Sequence, residues 1–157
     1  MPPIIFNAAD EAATAALGHA LAGVLPSGTT VALLGTLGAG KTRLVQAIAE
    51  GLGVNRRDVV SPTFVLIQEY RGRRMIYHID AYRLRDDDEF QQLGPDEYFE
   101  GDGLVLIEWA DRVEGSLPRE YIEIRIEVTG SESRRFQIRA IGGRYEEVLR
   151  RLGFGHE

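Results

Sequence analysis

An Ala-rich apolar stretch over Ala8–Leu25 predicts a helix, with Asn7 or Asp10 as its N-cap. Thr29–Leu34 is a short β-rich apolar run and predicts a buried strand. A glycine loop, Gly35–Gly40, follows. Leu44, Val45, Ile48 and Leu52 then fall at helical spacing across Lys41–Leu52, and Gly53 supplies the stop. Ser61 and Pro62 mark a loop. Phe64–Tyr70 and Met75–Ile79 read as strands joined by the turn Arg71–Arg74. Asp86–Leu93 predicts a short helix with acids in its first turn, where the helix dipole favours them. Leu104–Ile107 is a second buried strand. Tyr121–Val128 and Arg135–Ile141 alternate as an antiparallel hairpin, and Gly142–Leu152 starts a last helix. Strands alternating with helices, plus antiparallel hairpins, predict an α/β fold with a mixed, partly antiparallel sheet.

No repeat, low-complexity tract or long linker divides the 157 residues, so a single domain over 1–157 is expected. A chain of this size buries about two-thirds of the surface its unfolded form exposes and needs no covalent staples. The composition, 44% hydrophobic and 27% charged, excludes disorder over most of the chain. The apolar runs fall short of the ~20 residues of a membrane span, and the N-terminus shows no secretory signal. The absence of cysteine excludes disulfides, thiolate chemistry and Cys-ligated zinc. A cytoplasmic protein with no membrane partner is therefore expected. The net charge of −6 argues against non-specific nucleic-acid binding, which depends on Lys and Arg. The 18 basic residues comprise one lysine, Lys41, and otherwise arginine. That lysine stands where a compact ammonium is not interchangeable with a planar guanidinium.

Gly35-Thr36-Leu37-Gly38-Ala39-Gly40-Lys41-Thr42 fits the phosphate-loop pattern G-x-x-x-x-G-K-[ST], between a predicted strand and a predicted helix. Glycines let successive backbone N–H groups turn inward around phosphate oxygens. The following helix directs its positive end at the same anion. Lys41 suits the β- and γ-phosphates, and the Thr42 hydroxyl suits Mg²⁺. The pattern implies a P-loop NTPase-like, three-layer domain.

Such a loop also needs carboxylates to hold Mg²⁺ and place water. Glu108 ends the run Val105-Leu106-Ile107, and Asp80 ends Ile76-Tyr77-His78-Ile79. Ligands of open α/β sheets bind at such carboxyl ends. The competing readings are a salt-bridged strand end for Glu108 and a turn-capping Asp80. His78 lies on the same strand face as Asp80, but three scattered histidines without cysteine favour a packed, hydrogen-bonded imidazole over a metal ligand. Asp86–Glu89 reads as a solvated helix start. Trp109 suits stacking on an aromatic or base partner, or a place in the core or an interface. Asn55-Arg56-Arg57-Asp58 only superficially resembles a guanine-reading loop, and no Asp-x-x-Gly follows Asp80, which favours ATP.

Together these segments resemble the TsaE (YjeE) family, the ATPase subunit of bacterial tRNA threonylcarbamoyladenosine synthesis. The resemblance runs from about Leu33 to Pro118. It rests on the phosphate loop, Val60-Ser61-Pro62-Thr63-Phe64, Tyr77-His78-Ile79-Asp80-Ala81-Tyr82-Arg83-Leu84, Leu93-Gly94 with Glu97-Tyr98-Phe99, and Leu106-Ile107-Glu108-Trp109. It implies a small P-loop ATPase using ATP and Mg²⁺, with TsaD and TsaB as partners and tRNA met through their complex. TsaD transfers the threonylcarbamoyl group, and the ATPase supports repeated cycles. Catalytic roles would fall on Lys41, Glu108 and Asp80. Metal ligation would fall on Thr42, Asp80 and Glu108. Gly35 to Thr42, Thr63 and Trp109 would contact nucleotide, with Thr63 in a nucleotide-sensing loop. One departure is Thr36, where the family usually carries Asp or Glu.

No second-site arginine is evident, which implies slow turnover without partners. The Arg134-Arg135 hairpin is open to contact with nucleotide, tRNA or solvent. Two alternatives remain at the sequence level: a small-molecule P-loop kinase, which would need an Arg-rich lid, and a non-catalytic nucleotide switch.

Overall fold

The computed structural model describes residues 1–36, 38–59 and 66–153. In chain order the elements are β1 (Ile4–Ala8), α1 (Glu11–Val24), β2 (Thr30–Leu34), α2 (Lys41–Gly51), β3 (Ile67–Arg71), β4 (Met75–Asp80), α3 (Asp87–Gln91), α4 (Pro95–Phe99), β5 (Leu104–Glu108), β6 (Tyr121–Val128), β7 (Arg134–Ile141) and α5 (Glu146–Arg150). Short 3₁₀ segments lie at Arg56–Asp58, Ala110–Ser116 and Gly143–Tyr145.

The strands form one mixed sheet in the order β1-β7-β6-β2-β5-β4-β3. Strands β6, β2, β5 and β4 run parallel to one another, while β3 and β7 are antiparallel to their neighbours. The carboxyl ends of β2, β5 and β4 therefore share one sheet edge. In β2 and β5 nearly every position is buried, as expected of parallel strands covered on both faces.

Alternation along each strand sorts side chains into two cores. Val31, Leu33, Leu104, Leu106 and Ile76 pack with Leu44 and Ile48 of α2 and Leu17 and Leu21 of α1. Ala32, Val105, Ile107 and Ile79 face the other way, onto Phe90 of α3 and Val113. The result is the expected three-layer α/β/α arrangement. Each fully buried Leu, Ile or Phe stabilises it by about 1.5–3 kcal/mol.

Several boundaries differ from expectation. Ala8 ends an edge strand rather than starting a helix. The strand pairs with β7, from Ile4 opposite Ile138 to Ala8 opposite Arg134. Helix α1 begins at Glu11 because Asp10, in extended backbone, accepts a hydrogen bond from the Ala13 N–H at 2.9 Å. Asn7 lies inside β1 and is not the cap of α1. The last helix is shorter than Gly142–Leu152, since its first turn is 3₁₀. Strand β3 starts at Ile67, and Phe64 lies outside the described residues. The segments Pro95–Phe99 and Ala110–Ser116 carry helical turns that the apolar pattern does not announce.

Candidate functional site

The phosphate loop joins the end of β2 to the start of α2, as the motif requires. At Gly35, φ is +154° and a Cβ would stand 2.8 Å from the Ile126 carbonyl oxygen, so only glycine fits without movement. Gly40 caps α2 in left-handed backbone at φ 107°. Leu37 lies outside the described residues. Gly38, Ala39 and Gly40 complete the turn, with the Ala39 N–H donating to the Thr36 carbonyl at 3.0 Å.

Lys41 opens α2 and is buried. Its ammonium donates to the carbonyls of Gly35 at 2.7 Å and Thr36 at 2.9 Å. It also lies 3.8 Å from the centre of the Trp109 ring. Burial lowers its pKa from the ordinary lysine value, and the charges of Glu108, Asp111 and Asp80 oppose that shift. The expected lysine and the three carboxylates around it thus lie within electrostatic reach of one another.

Thr42 and Glu108 meet directly. The Thr42 hydroxyl lies 2.8 Å from Oε2 and 3.0 Å from Oε1 of Glu108. Glu108 is buried at the end of β5, and the register places Asp80 beside it on β4. Asp80 accepts from the Tyr82 N–H at 2.9 Å, the turn-capping behaviour weighed for it, while its charge still reaches Lys41. Glu108 therefore supplies the carboxylate that touches Thr42. A hydroxyl and a carboxylate are hard oxygen donors, and this set fits Mg²⁺, which keeps most of its other ligands as water and phosphate. Among the described residues no cluster of three or more His, Asp or Glu could hold a metal by itself.

Two contacts escaped sequence reasoning, those of His78 and Arg134. His78 is packed and hydrogen-bonded as expected, but its partner is Glu108, Nε2 to Oε2 at 2.5 Å, with Tyr70 Oη at 3.0 Å from Nδ1. Trp109 meets an aromatic partner, one of the places expected for it: Tyr82, with ring centres 4.9 Å apart and planes tilted by 48°. Arg134 reaches the loop itself: Nε donates to the Ala39 carbonyl at 2.9 Å, and Nη1 donates to Ser133 and Gly130 carbonyls of its own hairpin turn. The arginine is identifiable in the sequence, but the span from Arg134 to Ala39 is not.

Beside the loop a cavity of about 310 Å³ is bounded by Gly40, Arg43, Thr14, Ser131 and Arg134. Arg43 lines it, and its Nε and Nη1 are buried without a hydrogen-bond partner among the described residues. Thr36 is exposed and contributes its carbonyl to Lys41. Ser61, Pro62 and Thr63 lie outside the described residues.

The Arg-rich turn that a kinase lid would need is committed elsewhere. Arg73 donates to the Gly51 carbonyl, and Arg74 donates to the Leu25 carbonyl at 2.7 Å. These contacts fasten the turn to the C-terminal ends of α1 and α2, away from the phosphate loop. No helix among the described residues is long and apolar enough to cross a membrane.

The family model described as threonylcarbamoyl adenosine biosynthesis protein TsaE matches residues 8–136. The Bacillus subtilis tRNA threonylcarbamoyladenosine biosynthesis protein TsaE is 43% identical over 140 residues, covering 88% of this chain and 87% of the relative. The protein of the same name from Treponema pallidum is 38% identical over 125 residues, covering 80% and 92%. The crystal structure of Bacillus subtilis YdiB superposes with a TM-score of 0.81 at 35% identity, covering 96% of this chain and 94% of that one. The ordered motifs, the phosphate-loop fold and these similarities agree: the chain belongs to the TsaE family of threonylcarbamoyladenosine biosynthesis proteins.

Proposed function

We propose that this protein binds ATP with Mg²⁺ and hydrolyses it slowly, as the cytoplasmic subunit that supports threonylcarbamoyl transfer to tRNA adenosine by a TsaB–TsaD complex. It does not perform the transfer, and it meets tRNA through the complex. The observation that carries this reading is the Thr42 hydroxyl bonded to the Glu108 carboxylate, one residue after the phosphate-loop lysine.

Lys41 leaves the Gly35 and Thr36 carbonyls and donates to the β- and γ-phosphates. The loop amides and the start of α2 hold the same oxygens. The Thr42 O–H keeps donating to Glu108, which leaves the hydroxyl lone pairs free for the cation. Mg²⁺, when bound, neutralises charge on the phosphates. Glu108 orients the attacking water and takes its proton as the new bond to the γ-phosphorus forms and the bond to the leaving ADP oxygen breaks, and Asp80 adds negative charge at the same sheet edge. The cavity beside Gly40 receives the nucleoside end, with Arg43 and Arg134 on its wall. Trp109, whose ring lies at the Lys41 ammonium, contacts nucleotide from the phosphate end.

Nucleotide must displace two hydrogen bonds and a ring contact of Lys41, which costs affinity, while slow turnover is what the family resemblance implies. A partner that stabilises the nucleotide-bound arrangement then raises the rate, by differential affinity for the ATP and ADP forms. The test is Mg-ATP hydrolysis by the purified chain, alone and with TsaB plus TsaD. Slow hydrolysis that changes on adding the partners supports the proposal. ADP formed only with a small acceptor would indicate a kinase, and tight binding without hydrolysis under any partner condition would indicate a switch.

A further inference from the structure

We infer that His78, backed by Tyr70, is a positioning residue for this hydrolysis: it pins Oε2 of Glu108 and so fixes which carboxylate oxygen is presented to the reaction. The inference rests on the proposed role of Glu108 and extends it to two residues behind the site.

The argument begins with the glutamate itself. The terminal torsion of a Glu side chain is broad and roughly two-fold, so nothing intrinsic holds its carboxylate plane. Three strands supply the restraint. His78 sits on β4 opposite Leu106, one side-chain pair before Asp80 and Glu108 on the same sheet face. Tyr70 sits on β3, opposite Ile76 and diagonal to His78. His78 is 0% exposed and Tyr70 is 6% exposed, so water does not compete for their bonds.

The donor assignments follow. An ionised carboxylate only accepts, so the imidazole proton facing Glu108 is on Nε2. In the neutral ring Nδ1 is then an acceptor, and the Tyr70 hydroxyl donates to it. Tyr70 thereby selects the tautomer that His78 needs. Oε2 receives both His78 at 2.5 Å and Thr42 at 2.8 Å, while among the described residues Oε1 receives Thr42 alone, at 3.0 Å. Oε1 keeps free lone pairs, and Oε2 cannot exchange with it while His78 holds on. Packing alone asks only for a side chain of this volume; a leucine would fill the space and leave the carboxylate to Thr42, which bonds both oxygens and does not distinguish them as His78 does.

The experiment compares His78→Leu, His78→Gln and Tyr70→Phe, each also in a Glu108→Gln background, by single-turnover ATP hydrolysis with parallel measurement of ATP affinity. Losing an orienting partner of this kind costs about 10–100-fold. His78→Leu should lose rate on that scale with ATP affinity nearly unchanged. His78→Gln, which keeps an N–H donor, should recover part of it. Tyr70→Phe should lose less and retain the fold. In the Glu108→Gln background all three should add nothing, because the group they position is gone.

Unchanged rates in folded variants would overturn the inference, as would losses that add fully to Glu108→Gln. Should His78→Leu fail to fold, Tyr70→Phe carries the same comparison. A Glu108→Gln variant with wild-type turnover would instead overturn the underlying role of Glu108. That outcome is distinct from an active-site Glu108 whose rate ignores His78.

Discussion

The ammonium of Lys41 rests 3.8 Å from the centre of the Trp109 ring, and Trp109 is the one described non-glycine residue with positive φ, at 59°. Left-handed backbone at such a residue costs about 1–3 kcal/mol and persists where the surroundings hold it. The surroundings here are Tyr82 against the ring and Arg112 over Tyr82. A buried cation on an indole is worth about 0.5–2 kcal/mol. The pair therefore links the phosphate-loop lysine to the segment that follows Glu108.

Nucleotide should break that pair. Mg-ATP is expected to change the fluorescence of Trp109, the sole tryptophan, saturably. Lys41→Ala removes charged hydrogen bonds worth about 1.5–3 kcal/mol each, so ATP affinity measured by calorimetry should fall at least tenfold or so. An unchanged affinity would remove the phosphate-loop assignment.

Glu108→Gln keeps volume and removes charge. ATP binding should persist, while turnover falls on the scale of about 10²–10⁴ typical of a lost acid–base group. Binding and kinetic assays on the same preparation separate the two. Equal loss of both would make Glu108 a structural residue.

The phosphate loop was legible because its chemistry is local: glycines at fixed offsets, one lysine, and a strand and helix on either side. Glu108 and Asp80 were legible as strand ends. Their difference was not, because Thr42 meets Glu108 across 66 residues of sequence and only the parallel register decides it. The same register hides the bond from His78 to Glu108. Strand β1 was missed because an edge strand of five residues has a mixed burial pattern, buried at both ends and exposed at Asn7. The turns at Pro95–Phe99 and Ala110–Ser116 are too short for a helical period to show.

Arg134 holds the β6–β7 hairpin to the phosphate loop through the Ala39 carbonyl. Arg134→Ala should weaken ATP binding, on the scale of about 1.5–3 kcal/mol for a hydrogen bond from a charged donor, with a smaller change in thermal midpoint. Arg135 provides the comparison. It faces Glu127 across 3.6 Å on a partly exposed surface, where such pairs contribute about 0–1 kcal/mol. Arg135→Ala should leave ATP affinity nearly unchanged. Equal effects from the two variants would show that the reach to Ala39 contributes nothing special.

Helix α2 carries Lys41 and Thr42 in its first turn, and its position depends on how closely α1 approaches. A Cβ at Gly18 would lie 2.2 Å from the Ala47 Cβ, while a Cβ at Gly23 of the same helix would have no heavy atom within 4 Å. Helix propensity alone favours alanine over glycine at both positions by about 1 kcal/mol. At Gly23 that gain should appear as higher stability. At Gly18 the helices must separate, and overpacking costs about 1–3 kcal/mol. Urea unfolding should therefore give midpoints of opposite sign for Gly23→Ala and Gly18→Ala. Because separation moves α2 relative to the end of β5, Gly18→Ala should also stretch the Thr42–Glu108 contact and lower turnover in native buffer, where the variant is still folded. Equal stabilisation by both substitutions would mean that α1 and α2 can move apart freely, and that their close packing does not set the geometry of the site.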